Sequence, residues 1–226
     1  MCGRYALYGP ASRIREQFDL DDGFDFQPRY NIAPTMKALV VHPGQHGERV
    51  ASTYRWGLVP SWAKDLTIGA RLINARSETV AEKPAFRAAF RRWRCIVPAN
   101  GFYEWKAVPE AGRTLKQPYF IRPRDESDLF GFAGLSERWV SPEGDEVHTC
   151  CIITTDANPV MMPIHDRMPV ILRASDCGAW LDPGNADVSG LRALLRPAVD
   201  DGMIAYKVCR AVNSSRGDSS TFVEAV

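Results

Sequence analysis

The sequence of 226 residues contains no long uncharged hydrophobic run, so it predicts no transmembrane helix. Its beginning lacks the apolar core of a secretory signal peptide, since residues 10–25 are mostly polar or acidic. Basic and acidic side chains nearly cancel, at 28 against 27, which leaves no bulk charge to attract nucleic acid. Any site for an anion must therefore come from a local cluster of basic residues.

Metal-binding and disulfide motifs are also missing. The sequence has no C-x-x-C pair, and its four histidines include no pair at metal-ligand spacing. Without a secretory signal, five of the six cysteines are expected to be reduced and mostly buried. These five are Cys95, Cys150, Cys151, Cys177 and Cys209. We therefore expect no structural zinc, no disulfide framework and no cofactor.

What the sequence does contain is a series of short strand-like segments. Their length and alternation predict strands at 38–42, 50–59, 95–97, 102–105, 119–122, 129–140, 149–155, 170–172 and 203–212. Short helices are predicted at 12–19, 175–181 and 188–195. No repeat and no linker divides the chain. We expect one α+β domain over residues 1–226, with many short strands forming a barrel or two packed sheets and a few flanking helices.

The clearest predicted helix begins at Pro84, a residue type that suits the first helical position. Its apolar side chains recur at i, i+3, i+4 and i+7, which predicts a face that packs on the core. That face is formed by Phe86, Ala89, Phe90 and Trp93. The nearby arginines, which lie largely off this face, are Arg87, Arg91, Arg92 and Arg94.

The most informative stretch is the first five residues, Met-Cys-Gly-Arg-Tyr. Met aminopeptidases tolerate a small second residue, so we expect Met1 to be removed and Cys2 to begin an exposed terminus. Cys2 would then carry an α-amine with a pKa near ~8 and a thiol with a pKa near ~8.5. Such a 1,2-aminothiol condenses with an aldehyde to an imine, and the thiol then closes a thiazolidine ring. The alternative is that Cys2 is only a small second residue.

Three further polar residues lie in unusual surroundings. Glu104 lies between two aromatic residues, where desolvation would raise its pKa into the range of a general acid or base; alternatively it faces solvent. His165 lies in a mostly apolar loop between two prolines, in a catalytic or a structural role. Asn74 lies between two apolar residues and would orient a substrate or cap a turn.

Basic residues cluster in the segment 71–94, where seven Lys or Arg and two Glu give a local charge of +5. Arginines beside exposed aromatics suit single-stranded nucleic acid, because phosphates pair with Arg while bases stack on rings. Trp62 and Trp105 are candidate stacking residues. The alternative is a solvated helix face with buried tryptophans. The candidate anion-binding residues are Arg4, Arg76 and Arg167.

Nine segments, in order and spanning most of the chain, resemble the SRAP (SOS-response-associated peptidase) family. They are MCGRY at 1–5, YNIAPT at 30–35, WGLVPSW at 56–62, INARSET at 73–79, CIVPANGFYEW at 95–105, FAGL at 132–135, ITT at 153–155, AN at 157–158 and HDRMPV at 165–170. Each segment alone is weak, but nine in order are specific. The C-terminal tail matches least clearly.

The resemblance implies an SRAP-like fold and a DNA-damage sensor, linked to the SOS response, that captures abasic sites in single-stranded DNA. It implies that Cys2 forms a covalent thiazolidine with the ring-opened sugar and shields the strand, with some AP-lyase activity. Asn74 would position the amine and the sugar, while Glu104 and His165 would transfer protons. Phosphate contacts are implied for Arg4, Arg76 and Arg167, and contacts that shape the groove for Pro34, Trp62 and Trp105. We expect a monomer in the cytoplasm, nucleoid-associated if bacterial, without metal or membrane partner.

Two other functions are compatible with the same residues. Cys2, His165 and Asn74 match a Cys–His–Asn peptidase by residue type, in which case the activity would be removal of Met1. A non-catalytic binder of single-stranded nucleic acid would instead tolerate substitution of Cys2. The three hypotheses differ in whether a free Cys2 amine is needed.

Overall fold

The computed structural model describes residues 2–20, 23–110, 112–126, 128–199 and 202–226. The strands in these ranges are β1 (Tyr5–Leu7), β2 (Arg29–Ile32), β3 (Lys37–Pro43), β4 (Arg49–Trp56), β5 (Asn74–Arg76), β6 (Arg94–Ala99), β7 (Gly101–Glu110), β8 (Arg113–Pro123), β9 (Phe130–Val140), β10 (Glu146–Asp156), β11 (Arg167–Pro169) and β12 (Met203–Lys207). The α-helices are α1 (Ala11–Phe18), α2 (Arg87–Arg92), α3 (Ala174–Leu181) and α4 (Val188–Ala193). Short 3₁₀ helices cover Leu66–Arg71, Arg210–Asn213 and Ser220–Val223.

The strands form two sheets, and one of them closes on itself. Strands β10, β4, β3, β6 and β9 are neighbours in that order, and β9 also pairs with β10, which completes a ring. β11 and β5 extend this sheet along β10. The second sheet has the order β12-β8-β7-β1-β2. The α+β prediction with a barrel-like or two-sheet core is confirmed, because both arrangements are present.

β1 lies between the two hydrophobic cores. Tyr5 and Leu7 face the main core inside the ring, while Ala6 faces a smaller core under the second sheet. This follows from the alternation of side chains along a strand. The cysteines bear out the prediction of reduced, mostly buried thiols: all six are free, and Cys209 is the one that is partly exposed. None of the helices in the described ranges is long and apolar enough to cross a membrane.

The helix predicted at 12–19 is present as α1, which begins and ends one residue earlier. Ile14 and Phe18 are buried on one of its faces, and Pro10 directly precedes it. The strand predicted at 95–97 is longer than expected, because β6 continues through Pro98 to Ala99. The predicted strand 170–172 is shifted, since β11 ends at Pro169 and Ile171 makes only an isolated bridge to Phe132.

The helix predicted from Pro84 is shorter than its apolar pattern indicates. α2 begins at Arg87 and ends at Arg92, and Trp93 is 58% exposed instead of packing on the core. The helix ends early because of a tertiary contact. Ser136 in β9 donates its backbone N–H to Trp93 O, and the chain continues from there as strand β6. Arg94 then points inward and is only 3% exposed, so it does not belong to a solvated face.

Candidate functional site

Cys2 lies in the main core and is 0% exposed, so the expected exposed terminus is wrong. Burial raises the pKa of its thiol well above the ordinary value, and the nearby Glu104 carboxylate raises it further. The sulfur is therefore a neutral thiol at physiological pH. Met1 lies outside the described residues. The burial has a second consequence, since it places Cys2 next to the polar residues expected around it.

Asn74 binds the Cys2 backbone directly. Its Nδ2 donates to Cys2 O at 2.8 Å. Asn74 begins β5, which runs parallel to β10, and the buried Trp56 indole fixes the preceding residue by donating to Ile73 O at 2.9 Å. The Asn74 Oδ1 atom is buried, and no described residue donates to it. An acceptor left in this state costs roughly 1–3 kcal/mol, so the site carries a spare acceptor beside Cys2.

Glu104 is the buried carboxyl group of the site. It lies within β7, opposite Tyr119 of β8, and is 3% exposed. Burial raises its pKa to about 7, which confirms the predicted desolvation. At neutral pH the carboxyl group is therefore divided between its acid and base forms, as proton transfer in either direction requires. Its charge raises the pKa of the Cys2 thiol, so Glu104 lies near Cys2, as Asn74 does.

His165 comes from the loop after β10. Asn158 braces this loop by accepting from Met161 N at 3.0 Å, and His165 N donates to Met161 O at 2.9 Å. Burial lowers the pKa of the imidazole, so the neutral form dominates at pH 7. The Arg167 backbone N–H donates to its Nδ1 at 3.0 Å, which leaves the proton of the neutral ring on Nε2. A carboxylate oxygen of Asp166 also lies 2.9 Å from Nδ1, but that side chain is 82% exposed and screened by water.

The Asp166 carboxylate contributes to the raised pKa of Glu104. This indicates that the loop carrying His165 lies near Glu104. The structure therefore brings Cys2, Asn74, Glu104 and the His165 loop together from the chain start, two strands and one loop. These residues lie far apart in the sequence; Cys2 and Asn74, for example, are separated by 72 positions. No group of three or more His, Cys, Asp or Glu side chains in the described ranges is arranged to hold a metal ion.

Arg4 lies on the opposite face of the N-terminal segment from Tyr5. Its Nη1 donates to Asn31 Oδ1 at 2.7 Å and to Val212 O at 2.8 Å, and its guanidinium lies 5.7 Å from the Trp105 ring centroid. Burial lowers the pKa of this guanidinium. Arg4 and Trp105 therefore form one fixed unit, with a cation above an aromatic face.

The segment 212–218, here called the C-terminal strap, holds this unit in place. Asn213 Oδ1 accepts from Trp105 Nε1 at 2.7 Å. Asn31 Nδ2 donates to Ser214 O at 3.0 Å and to Gly217 O at 2.6 Å. Sequence reasoning assigned no role to Asn31, which is 0% exposed, or to the strap. The local signal at Asn31 is its position before two apolar residues and a proline.

The remaining candidates differ in how accessible they are. Arg76 is exposed two residues after Asn74, and Trp62 is 61% exposed. Pro34 is half-buried and precedes Thr35, whose φ of 70° is unusual for a β-branched residue. Arg167 is different, because its guanidinium donates to Glu78, Asp156 and Thr154 O. Two carboxylates already compensate its charge, so its position suits bracing the His165 loop better than holding a phosphate.

Comparison with known proteins identifies the family of the chain. The family model described as SOS response associated peptidase (SRAP) matches residues 1–215. The abasic site processing protein YoqW of Bacillus subtilis is 44% identical, with 99% of each chain covered. The abasic site processing protein HMCES of Xenopus tropicalis is 32% identical over 91% of this chain and 68% of its own. A crystal structure of a protein from Bacteroides thetaiotaomicron superposes with a TM-score of 0.85 at 26% identity, covering all of both chains. The chain belongs to the SOS response associated peptidase family.

Proposed function

We propose that this protein recognises abasic sites in single-stranded DNA and joins itself to them covalently through Cys2. Relatives at 44% and 32% identity bear the name abasic site processing protein, which supports DNA with abasic sites as the substrate. The chain would act as a single-domain monomer where cellular DNA is located, in the cytoplasm or at the nucleoid. The observation that carries the proposal is the 2.8 Å bond from Asn74 to Cys2, beside a buried carboxyl group whose pKa is about 7.

The first step is imine formation. Removal of Met1 would leave the α-amine of Cys2, which attacks C1′ of the ring-opened deoxyribose and forms a carbinolamine. The protonated Glu104 carboxyl then gives its proton to the departing hydroxyl, and water leaves as the C=N bond forms. The spare Oδ1 acceptor of Asn74 is placed to orient the amine or a sugar hydroxyl. His165, with its proton on Nε2, would be the second donor on the sugar side.

The second step is ring closure by the thiol. The sulfur bonds to C1′, the π electrons of the iminium C=N bond move to nitrogen and neutralise it, and the thiol proton passes to the Glu104 carboxylate, which regains the proton it gave to the departing water. Overall, an aldehyde and an aminothiol become a thiazolidine and water. The iminium ion is an electron sink that promotes loss of a C2′ proton and β-elimination of the 3′ phosphate. Because thiol addition removes that sink, ring closure protects the strand from cleavage, and residual lyase activity is expected.

The buried, neutral state of the Cys2 thiol suits this order of steps. A thiol that ionised freely would react with other electrophiles and oxidants before the imine formed. A thiol held neutral next to Glu104 becomes a nucleophile only when the carboxylate can accept its proton. The surrounding exposed residues would guide the strand, with Arg76 on a phosphate, Trp62 against a base and Pro34 as a wedge. Arg4 and Trp105 would form the wall of the groove.

The proposal is tested by incubating the protein with a single-stranded oligonucleotide carrying one abasic site. The wild type is expected to give an adduct that survives heat and denaturant, with a mass shift on Cys2. Cys2→Ala should reduce this adduct to background. Cys2→Ser is the sharper variant, because it keeps the amine and replaces the thiol by a weaker nucleophile. It should form the imine, which borohydride traps, and should release more cleaved strand than the wild type.

A stable adduct of unchanged yield in Cys2→Ala would contradict the proposal. Equal strand cleavage by Cys2→Ser and the wild type would contradict the protective role of ring closure. Both variants replace one small buried side chain. Their unfolding free energies should be compared with that of the wild type, so that loss of folding is measured separately.

A chain extended by one N-terminal residue that cannot be removed separates this function from the peptidase alternative. Thiazolidine formation needs the free α-amine, so the extended protein is expected to give no stable adduct. A cysteine peptidase would keep its activity toward a separate peptide, since its nucleophile is sulfur alone. The raised pKa of the Cys2 thiol disfavours that alternative, because a peptidase needs a thiolate at neutral pH. Full crosslinking by the blocked chain would overturn the amine-first mechanism.

A further inference from the structure

A second cavity is lined largely by strands of the ring and shares no residue with the Cys2 site. It has a volume of about 500 Å³, which is within the range of small-molecule sites. Its lining comes from β3, β4, β9, β10 and the end of α2. The residues used below are His42, Tyr54, Arg92, Trp93, Glu137 and His148. Four of them have aromatic or heteroaromatic rings.

Three of these rings form one layer across neighbouring strands. Tyr54 stacks on His42 at a centroid distance of 5.4 Å and on His148 at 5.1 Å, with interplanar angles of 26° and 29°. His42 is fixed at both ring nitrogens, by Pro43 O and Ser52 Oγ, each at 3.0 Å. The floor of the cavity is therefore a preformed set of nearly parallel polar rings.

Trp93 forms the wall, and its backbone is rigidly held. Ser136 N donates to Trp93 O at 2.8 Å, and the next residue, Arg94, is buried and bonded to backbone carbonyls. The Trp93 side chain is nevertheless 58% exposed. An exposed tryptophan on a fixed backbone offers a large aromatic face to a ligand, and binding requires no ordering of the backbone there.

The charges around the cavity are of two kinds. Arg92 is exposed and makes no hydrogen bond or ion pair to a described residue, so its guanidinium is available to an anion. Arg138 is already paired with Glu146. Glu137 is also part of the lining, but it pairs with Thr149, so its side chain leaves the sheet on the opposite face from those of Tyr54 and His148. One available cation, Arg92, therefore flanks the rings.

We propose that this cavity is a nucleotide-binding site, in which a base stacks on Trp93 over the ring floor and a phosphate pairs with Arg92. Every base has a face that can stack on an aromatic ring, so the site should bind dAMP, dCMP and dTMP alike. An ordinary solvated sheet face needs neither a layer of stacked rings nor an exposed tryptophan with a fixed backbone.

The nucleotide could be free in solution or part of a DNA strand, and the experiment separates the two sources. Binding of dAMP, dCMP and dTMP is measured by titration calorimetry, together with binding of an adenine-rich 12-nucleotide single strand without abasic sites. The variants are Trp93→Ala and Val199→Ala. Val199 is the control, because it is an exposed apolar side chain (57%) that lies outside the lining of this cavity and has no proposed contact with DNA. Stacking on an aromatic side chain predicts a loss of about fivefold or more when Trp93 is removed.

We expect Trp93→Ala to weaken the binding of all three mononucleotides by this factor and Val199→Ala to leave it unchanged. If only the oligonucleotide responds to Trp93→Ala, the occupant is a nucleotide of a strand. If neither the mononucleotides nor the oligonucleotide responds, the proposal is wrong. The test uses intact nucleotides without an aldehyde, so its result is independent of crosslinking by Cys2.

Discussion

Glu104→Gln is expected to slow crosslinking to abasic DNA by about 10²- to 10⁴-fold, the usual contribution of a positioned acid or base. Glutamine has nearly the same shape as glutamate and cannot give or take the proton. The wild-type rate should change with an inflection near pH 7, because the pKa of Glu104 is about 7. The Glu104→Gln rate should lack this inflection. A variant that crosslinks at the wild-type rate would exclude Glu104 from the chemistry.

The same substitution is expected to stabilise the protein above pH 7. The pKa of Glu104 is raised from 4.5 to about 7 on folding, so between these pH values the folded state holds a proton that the unfolded state has lost. The free energy of unfolding therefore falls as pH rises through this window, by up to roughly 3 kcal/mol at about 1.36 kcal/mol per pH unit. Below the window the contribution is complete, and above it the loss is complete. Glutamine, which does not ionise, avoids the loss.

Denaturant unfolding at pH 5, 6, 7 and 8 tests this expectation. The difference in unfolding free energy between Glu104→Gln and wild type should move in favour of the variant as pH rises. Glu143→Gln, in the exposed turn between β9 and β10, is the control and should show no such trend. Lower activity together with higher stability at pH 8 would identify a residue that is retained for chemistry at the expense of folding. A difference independent of pH would contradict the shifted pKa.

Arg94→Met is expected to destabilise the protein by about 3–5 kcal/mol, the usual cost of breaking a buried charged network. Its guanidinium uses all five of its N–H donors on backbone carbonyls. The acceptors are the carbonyls of Phe90, Arg91, Trp180, Asp182 and Asn185. These carbonyls lie at the ends of α2 and α3, where the helix dipoles carry partial negative charge. Arg94 thus joins two helix ends and compensates their charge.

Arg94→Lys separates geometry from charge. An ammonium group keeps the charge but has three donors, so at least two of the five carbonyls would lose their partner. We expect a loss of about 1–3 kcal/mol or more, since each orphaned buried group carries that order of cost. Arg91→Met, at an exposed arginine of the same helix, should stay within about 0.5 kcal/mol of the wild type. Unfolding free energies of the three variants at one pH decide the matter, and a loss below 1 kcal/mol for Arg94→Met would refute this role.

Arg94 also shows where sequence reasoning reaches its limit. In the sequence it is one of several arginines in a basic segment, and nothing nearby distinguishes it from Arg91 or Arg92. Its partners at 180–185 are almost ninety residues away, so only the fold reveals them. The prediction that Trp93 packs on the core was wrong for a related reason. The hydrogen bond from Ser136 N in β9 to Trp93 O ends the helix before its apolar pattern ends. Tertiary contacts override local propensity in both cases.

The strands and the residues that make up the candidate site were easier to predict from the sequence. Alternation and apolar runs located β3, β9 and β10 closely, since each of these strands has at least one face in a core. The setting of Glu104 between aromatic residues indicated its desolvation correctly. The burial of Cys2 was not predictable, because it depends on Asn74 and Glu104, which are far away in sequence and meet it only through sheet pairing. Family resemblance supplied the grouping of these residues, which no local pattern contains.

The C-terminal strap has a consequence for biosynthesis. A chain emerging from the ribosome folds from its N-terminal end, so Cys2 and Arg4 are available long before residues 212–218 are made. Arg4 can reach its partner Val212 O only after 208 further residues have been added. A nascent or prematurely terminated chain therefore carries Cys2 before the Arg4–Trp105 unit is fixed. Residues 212–218 must be made before this unit can take its final form.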